Sequence, residues 1–384
     1  LVYTKPSYSF TSGNIVVSAL KNLFSNKSKG VGIELSANRI NIAQLQRKGT
    51  ALKLAALASV PLPEGLFQEG QITDPTALAE LIQAGLSEAK VKVKRVATAI
   101  PGREVVTRLI PVPSELDDIE LREMILEQEA GLYLPFPREE ADVDYQKLGL
   151  FIDEDGIEKV QILLAATRKQ VTDSYLNTFQ LAGLELDVLE TTSFALIRTI
   201  REQLRQFSAQ EAVAIVDIEY ESTEISIVVQ GVPQFSRTVP IGTSQMLTAL
   251  SHAMNLPNSG DMEVLQTLTI PVTPADSMST GRLNAPNPGT SAMMRILGEL
   301  ADELRRSIAF YLSQGEGLEI AQLLLAGPGG AINQLDEYFT QRLSYPALQI
   351  DPVSALALEL DETLLQQIRK PELGVVLGLG LREA

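Results

Sequence analysis

Residues 213–231 read "VAIVDIEYESTEISIVVQG". The unbroken apolar run predicts a buried strand ending at Asp217. A polar turn follows, and "TEISIVV" then alternates with the period of two that marks a second strand. An acid at the end of a buried strand, with Ser222 and Thr223 beside it, suits two roles. It can grip phosphate and metal, or it can be the solvated turn of a plain hairpin.

The same grammar occurs earlier in "VGIELSANRINIAQLQRKGTALKLAALASVPLP", from Val31. There an apolar strand is expected to end at Glu34, followed by a polar turn, the alternating "RINIAQL", a turn at Gly49 and a third strand. From Val213 the order is strand, turn, strand, a turn at Gly231 and a third strand. A helix is predicted after each meander, "DPTALAELIQAGLSEA" from Asp74 and "TSQMLTALSHAM" from Thr243. Asp74 supplies an N-cap and Pro75 a first-turn proline for the former. Duplicated order predicts two homologous α/β lobes facing each other.

A different composition separates them. "PGREVVTRLIPVP" predicts a strand bounded by prolines, and "SELDDIELREMILEQEAG" a helix with a capping box on Ser114 and Asp117 that ends at Gly131. "ADVDYQKLGL" and "EKVQILLAATR" predict a strand pair about the 153–156 turn, and "RKQVTDSYLNTFQLAG" a helix closed by Gly183. Residues 103–182 are therefore expected to be a small inserted α+β subdomain. The first lobe is expected to take 31–102 and 183–206, with 371–384 returning to it. The second lobe takes 207–370, including a mobile loop at 271–291 rich in Pro, Ser, Gly and Asn. Past that loop "SAMMRILGELADELRRSIAFYLSQ" predicts a helix with Ile296, Leu300, Leu304, Ile308 and Tyr311 on one face. The strand "IAQLLLAG" then runs into the glycine turn at 326–330.

Composition removes whole classes of chemistry. The chain has 384 residues, enough for two or three domains, with 32 Lys plus Arg against 48 Asp plus Glu and a net charge of −16. That balance argues against nucleic acid as a partner. With no cysteine, disulfides and thiolate chemistry are excluded. A lone His252, predicted on a helix surface, makes His-based metal clusters and a Ser-His-Asp triad improbable. The longest apolar runs, at 160–166 and 374–381, fall short of the roughly 18 residues that span a bilayer. A cytoplasmic chain is expected. Residues 1–30 are polar and basic, expected to be a disordered or partly helical tail, and "VSALKNLFSNKSKG" reads as the more natural amino terminus.

Three turns carry candidate chemistry. Paired β-hairpins that bind a nucleoside triphosphate need short polar residues, free backbone N–H groups and one carboxylate per side to hold Mg²⁺ through water. "ELSAN" (34–38) and "DIEYEST" (217–223) each offer an acid with Ser, Asn or Thr, and "AGPGG" (326–330) offers backbone for the nucleoside. There is no Walker lysine motif and no G-x-G-x-x-G after a strand.

In this order the elements resemble the actin-like ATPase superfamily, and in detail the PilM family of type IV pilus assembly proteins. The stretch "EQEAGLYLPFPREEADVDYQKLG" (127–149) carries most of the likeness. Supporting it are "LPEGLFQEGQITDPTALAELI" (62–82), "LLAATRKQV" (163–171), "ELADELRRSIAFYLSQ" (299–314) and "GVVLGLGLRE" (374–383). The resemblance implies an actin-like fold of two duplicated ribonuclease-H-like lobes, with the inserted subdomain placed as in the cell-division protein FtsA. It also implies ATP with Mg²⁺ in an interlobe cleft. The expected partner is the amino-terminal cytoplasmic peptide of PilN, bound in a groove between first lobe and inserted subdomain. Attachment to the inner membrane through partners, contacts with other pilus inner-membrane assembly proteins and self-association are further expectations. A metabolic kinase or phosphatase of the same superfamily is the alternative.

Carried over by position, the nucleotide site comprises Gly32, Glu34, Ser36, Ala37, Asn38 and Asn41 at the first turn and Asp217, Ser222 and Thr223 at the second. Gly327, Gly329 and Gly330 form the nucleoside turn, and Arg306 lies beneath the base. Glu34 and Asp217 would hold the metal through water. Ser36 replaces a family glycine, Asn41 stands where a lysine is usual, and Glu219 replaces another glycine. These departures remove a counter-charge and add a negative one, predicting weakened ATP binding and at most weak hydrolysis. Arg305 and Arg306 suit either stacking on a base or ion pairs with Asp302 or Glu299. Pro135-Phe136-Pro137 suits either a partner-docking edge or a turn whose Phe136 fills the subdomain core.

Overall fold

The computed structural model describes residues 29–256, 264–265, 270–271, 288–314, 318–360 and 370–382. The expected amino-terminal tail, up to residue 28, and the expected loop, from 272 to 287, lie outside the described residues. The described chain divides into two compact units. One takes 29–199, 356–360 and 375–382, and the other 200–355 and 370–374.

The first unit opens with the meander β1 (Lys29–Ser36), β2 (Arg39–Lys48) and β3 (Ala51–Pro61). After the small ladder of β4 (Phe67–Gln68) and β5 (Gln71–Ile72) comes the helix Pro75–Glu88, whose N-cap Asp74 accepts from the amides of Thr76 and Ala77. β6 (Arg95–Ile100) follows, and after the insertion β10 (Glu185–Thr191). The sheet order is β10-β6-β1-β2-β3-β16, with β16 (Leu358–Glu359) returning from late in the chain. One sheet face carries Val31, Ile33, Leu35, Ile40 and Ile42. It packs on Leu78 and Ile82 of the helix Pro75–Glu88 and on Tyr175 and Phe179 of the helix Lys169–Leu181.

Tyr175 is fully buried there and its hydroxyl has no hydrogen-bond partner among the described residues. Burial, more than the charge of Glu104, pushes its pKa up. An orphaned buried hydroxyl opposes folding, so Tyr175→Phe is expected to be neutral or stabilising by up to about 1 kcal/mol. Denaturant unfolding checks this, and a clear loss would reveal a partner for the hydroxyl.

Between β6 and β10 lies a three-stranded antiparallel sheet, order β7-β9-β8, from β7 (Val105–Pro113), β8 (Ala141–Ile152) and β9 (Glu158–Arg168). Ile110, Ile162 and Leu164 pack on Leu121 and Ile125 of the helical run 118–133. Its N-cap differs from expectation. Asp117 caps with Glu120 as the reciprocal partner, while Ser114 donates to the Glu158 carbonyl, because the helix begins at Asp118. Gly131 does not stop the run. Helix continues through a π turn to Tyr133, ahead of Pro135, where proline excludes further helix. Phe136 is half-buried with the Arg168 guanidinium stacked 4.7 Å from its ring.

The second unit repeats the meander with β11 (Glu211–Ile218), β12 (Thr223–Val229) and β13 (Val232–Val239). Its sheet, β13-β12-β11-β14-β15, adds β14 (Glu319–Ala326) and β15 (Ala347–Gln349) in parallel. Ile225 and Ile227 pack on the helices Thr243–Met254 and Pro288–Leu312, with Ile296, Leu300, Leu304 and Ile308 facing inward as expected. That second helix starts three residues before the expected one. Pro288 is fit for a first helical turn, where its missing N–H costs nothing.

Candidate functional site

The first turn is tighter than its sequence suggests. β1 runs past Glu34 to Ser36, leaving only Ala37 and Asn38 as turn residues before Arg39 opens β2. Side chains alternate along a strand, so Gly32, Glu34 and Ser36 share the face opposite the Ile33 core. Cross-strand pairing sets Glu34 against Asn41, and Asn41 against Ser59 on β3. Asn41 Nδ2 donates to Glu34 Oε2 at 3.0 Å, and Ser59 Oγ donates to Asn41 Oδ1 at 2.8 Å. Glu34 is 4% exposed. Asn41 therefore holds the carboxylate from the position where a lysine would supply charge.

Gly32 serves packing. A Cβ there would lie 2.4 Å from the Val376 carbonyl oxygen and 2.7 Å from the Gly380 nitrogen. The helix Gly374–Gly380 thus lies directly on this sheet face. Nearby, Glu190 of β10 is fully buried and takes both oxygens into a guanidinium clamp. Arg198 donates at 2.6 Å to each oxygen, and Arg382 donates to Oε2 at 2.7 and 3.2 Å. Arg198 also donates to the Gly378 carbonyl. Sequence reasoning missed this triad. Its one signal is an acid closing an apolar strand and arginines closing two apolar helices.

In the second unit Asp217 lies inside the ladder, across from Glu224, and the turn is 219–222. Glu224 accepts from the hydroxyls of Ser226 and Ser236. The Thr223 hydroxyl donates to the Ile241 carbonyl at 2.7 Å and so fastens the hairpin to the following segment. The turn itself is fixed by the start of the helix Thr243–Met254. Thr243 and Ser244 amides donate to the Glu219 and Tyr220 carbonyls, both at 2.9 Å. Gly242 permits this, since a Cβ would fall 2.4 Å from the Tyr220 oxygen. The cue for Gly242 was a glycine immediately before a helix pattern.

Asp217 also meets the glycine turn. Gly327 has φ +73°, and a Cβ there would lie 2.6 Å from Asp217 Oδ1 and from the Ile218 oxygen. A Cβ on Gly329 would lie 2.3 Å from Ile218 Cγ2, and one on Gly330 3.0 Å from the Leu325 carbonyl carbon. Within this unit, then, Asp217, Thr223, Gly327, Gly329 and Gly330 come together, with Ser222 half-buried beside them. Arg306 pairs with Glu303, which Arg237 also reaches at 3.2 Å. The hydrogen bond from Arg306 lowers the Glu303 pKa. Arg305 pairs with Asp302 and donates to the Arg342 carbonyl. The ion-pair alternative thus describes both arginines, with Glu303 in place of the acids expected for Arg306. Among the described residues no group of three or more Asp, Glu or His is placed to hold a metal, and Glu34 and Asp217 belong to different units.

The family model described as type IV pilus assembly protein PilM matches residues 32–264. A solved PilM–PilN type IV pilus biogenesis complex contains a chain 28% identical to this one. It superposes with a TM-score of 0.77 over 92% of this chain and 98% of that chain. The ethanolamine utilization protein EutJ from Carboxydothermus hydrogenoformans is 13% identical with a TM-score of 0.53, over 92% of this chain and 89% of its own, a likeness of fold. The fold is that of the actin-like ATPases, as the family resemblance implied. No described helix is long and apolar enough to cross a membrane. The chain belongs to the PilM family of type IV pilus assembly proteins.

Proposed function

We propose that this protein is a cytoplasmic adaptor of the pilus assembly machinery that binds the amino-terminal segment of PilN and a nucleotide. The similarity to the PilM chain of the PilM–PilN complex, which spans nearly all of both chains, carries the partner reading. Attachment to the inner membrane then runs through PilN.

The nucleotide reading rests on the two hairpins and the glycine turn. The residues fit the group in the second unit, where a buried carboxylate lies against glycine backbone. In the first unit Asn41 orients Glu34. ATP would bring Mg²⁺ with its phosphates, and in the second unit Asp217 would hold the ion through water. Gly327 and Gly329 keep the Asp217 side free of side-chain bulk. No residue is assigned as a general base, and any hydrolysis is expected to be slow.

Calorimetry with a synthetic PilN amino-terminal peptide, with and without Mg-ATP, tests both parts. Peptide binding is expected, and a difference between the two titrations would measure the coupling of the sites, which is reciprocal. No peptide binding in either condition would end the adaptor reading. Asp217→Ala is expected to weaken Mg-ATP binding about tenfold or more. Equal binding by wild type and variant would remove Asp217 from the site.

A further inference from the structure

The net charge of −16 is not spread evenly over the first unit. Residues 114–158, most of the inserted subdomain, hold 15 acids against three bases. That subdomain leaves the six-stranded sheet after Ile100, where β6 ends. The other end of the same sheet is different. β1 and β6 run parallel and β2 returns antiparallel, so the start of β6, the end of β2 and the start of β3 lie together. There stand Lys90, Lys92 and Lys94 on the segment entering β6, and Arg47 and Lys48 closing β2. All five are exposed, and none is in an ion pair among the described residues.

The sequence forces this display. In "KVKVKR" (90–95) Val91 is buried and Val93 packs against the first-unit core, so the lysines between and beside them stay in water. Neighbouring strands are about 4.8 Å apart, and β1 alone separates β6 from β2, which sets the two groups roughly 10–15 Å apart. With Lys53 and Arg95, seven cations stand here against four carboxylates among the described residues. Three of the acids lie on the outermost strands. They are Glu185 and Asp187 on β10, Asp187 being paired with Arg95, and Glu359 on β16. The fourth, Glu88, closes the helix before Lys90. The acidic subdomain starts a strand's length away, about 20 Å, and salt screens charge beyond about 8–10 Å. A surface meeting this end therefore feels the local cations. The chain also enters β1 here, and residues 1–28 before it hold three lysines and no acid.

Exposed amines in such an array fit a surface of phosphate groups. Nucleic acid also offers phosphates, but residues 44–55 and 86–96 contain no aromatic side chain on which a base could stack. The adaptor reading already sets the chain beside a bilayer. We propose that this end of the first unit docks on the anionic bilayer surface, a second hold beside PilN. One weak membrane contact is marginal, and two together give stable attachment. The choice of lipid rests on the adaptor reading; the cationic face does not.

The test is flotation of the full chain with vesicles, without PilN peptide or nucleotide, so that failure leaves the adaptor reading standing. Vesicles of phosphatidylcholine alone are compared with vesicles holding about one-third phosphatidylglycerol. Wild type is expected to bind the second and not the first, and more weakly as salt rises. Near an anionic surface each lysine or arginine contributes about fivefold in affinity. Replacing Lys90, Lys92 and Lys94 together by Gln is thus expected to lose about tenfold or more, and Arg47→Gln with Lys48→Gln about fivefold or more. Arg108→Gln with Arg122→Gln, exposed cations of the inserted subdomain, is the control, expected to change binding by less than about twofold. No preference of wild type for phosphatidylglycerol overturns the proposal. Unchanged binding of the lysine variant does the same, and so does an equal loss in the control, which would mark a net-charge effect. Duplex DNA bound as tightly at the same salt, and lost with the same lysines, would assign the face to nucleic acid and overturn the lipid reading. The thermal transition of each variant reports that it is folded.

Discussion

Glu190→Ala is expected to cost about 3–5 kcal/mol of stability, because it strands two partly buried guanidinium groups without their shared counter-charge. Both carboxylate oxygens are engaged, and the side chain is wholly removed from water. A surface ion pair would contribute about 0–1 kcal/mol. The difference lies in desolvation that has already been met in the native state and that the variant no longer offsets. At roughly 2–4 °C per kcal/mol for a unit of this size, the transition of the first unit should fall by about 10 °C. With two units the melt need not be two-state, so the readout should be local, such as hydrogen exchange of β10 and β6. Replacing Glu190, Arg198 and Arg382 together with apolar residues of similar volume should recover much of the loss. A single-variant cost within about 1 kcal/mol would show that the clamp contributes no more than a surface pair.

Gly378→Ala is the second substitution with a large expected effect. In an open helix, alanine in place of glycine stabilises by about 1 kcal/mol. Here the new Cβ would lie 1.9 Å from the Ala195 carbonyl oxygen and 2.5 Å from its carbon, both backbone. Backbone cannot rotate out of the way, so the helix Gly374–Gly380 must separate from the helix Thr192–Thr199 that carries Ala195, and overpacking of that kind costs about 1–3 kcal/mol or more. A net destabilisation near 3 kcal/mol is expected by chemical denaturation. Gly380→Ala is the control. Its nearest neighbour, 3.2 Å away, is the Leu45 side chain, which can shift. If both variants lose the same, a general disturbance of the helix is responsible, and the close approach at Gly378 is not.

The duplicated meanders were legible because both signals are local. Apolar runs broken by short polar turns fix strand positions, and Asp74 before Pro75 fixes a helix start. The first hairpin was misjudged at its apex. Glu34 looks like a turn residue in "ELSAN", but cross-strand pairing with Asn41 draws the strand on to Ser36. The cap at Asp117 was shared with Ser114 in the sequence reading because both are good caps; packing of the helix start left Ser114 to bond β9 instead. The motif glycines were legible as places of close approach, yet their partners were not. Gly32 touches a helix over 340 residues later, and Gly327 touches Asp217. The Glu190 clamp left only the faint signal of an acid and arginines at element ends, since Glu190 and Arg382 are 192 positions apart and no local pattern links them.

That long return has a consequence for synthesis. β16 and the helix Gly374–Gly380 complete a sheet whose other strands were made before residue 192. While the ribosome extends the second unit, the face bearing Gly32 and Glu190 lacks the helix Gly374–Gly380, and Glu190 meets Arg198 without Arg382. The second unit, drawing almost wholly on 200–355, can close first. Translation order and folding order are thereby inverted. The nascent first unit carries a helix-sized apolar vacancy for most of the chain's synthesis, the kind of surface that chaperones hold.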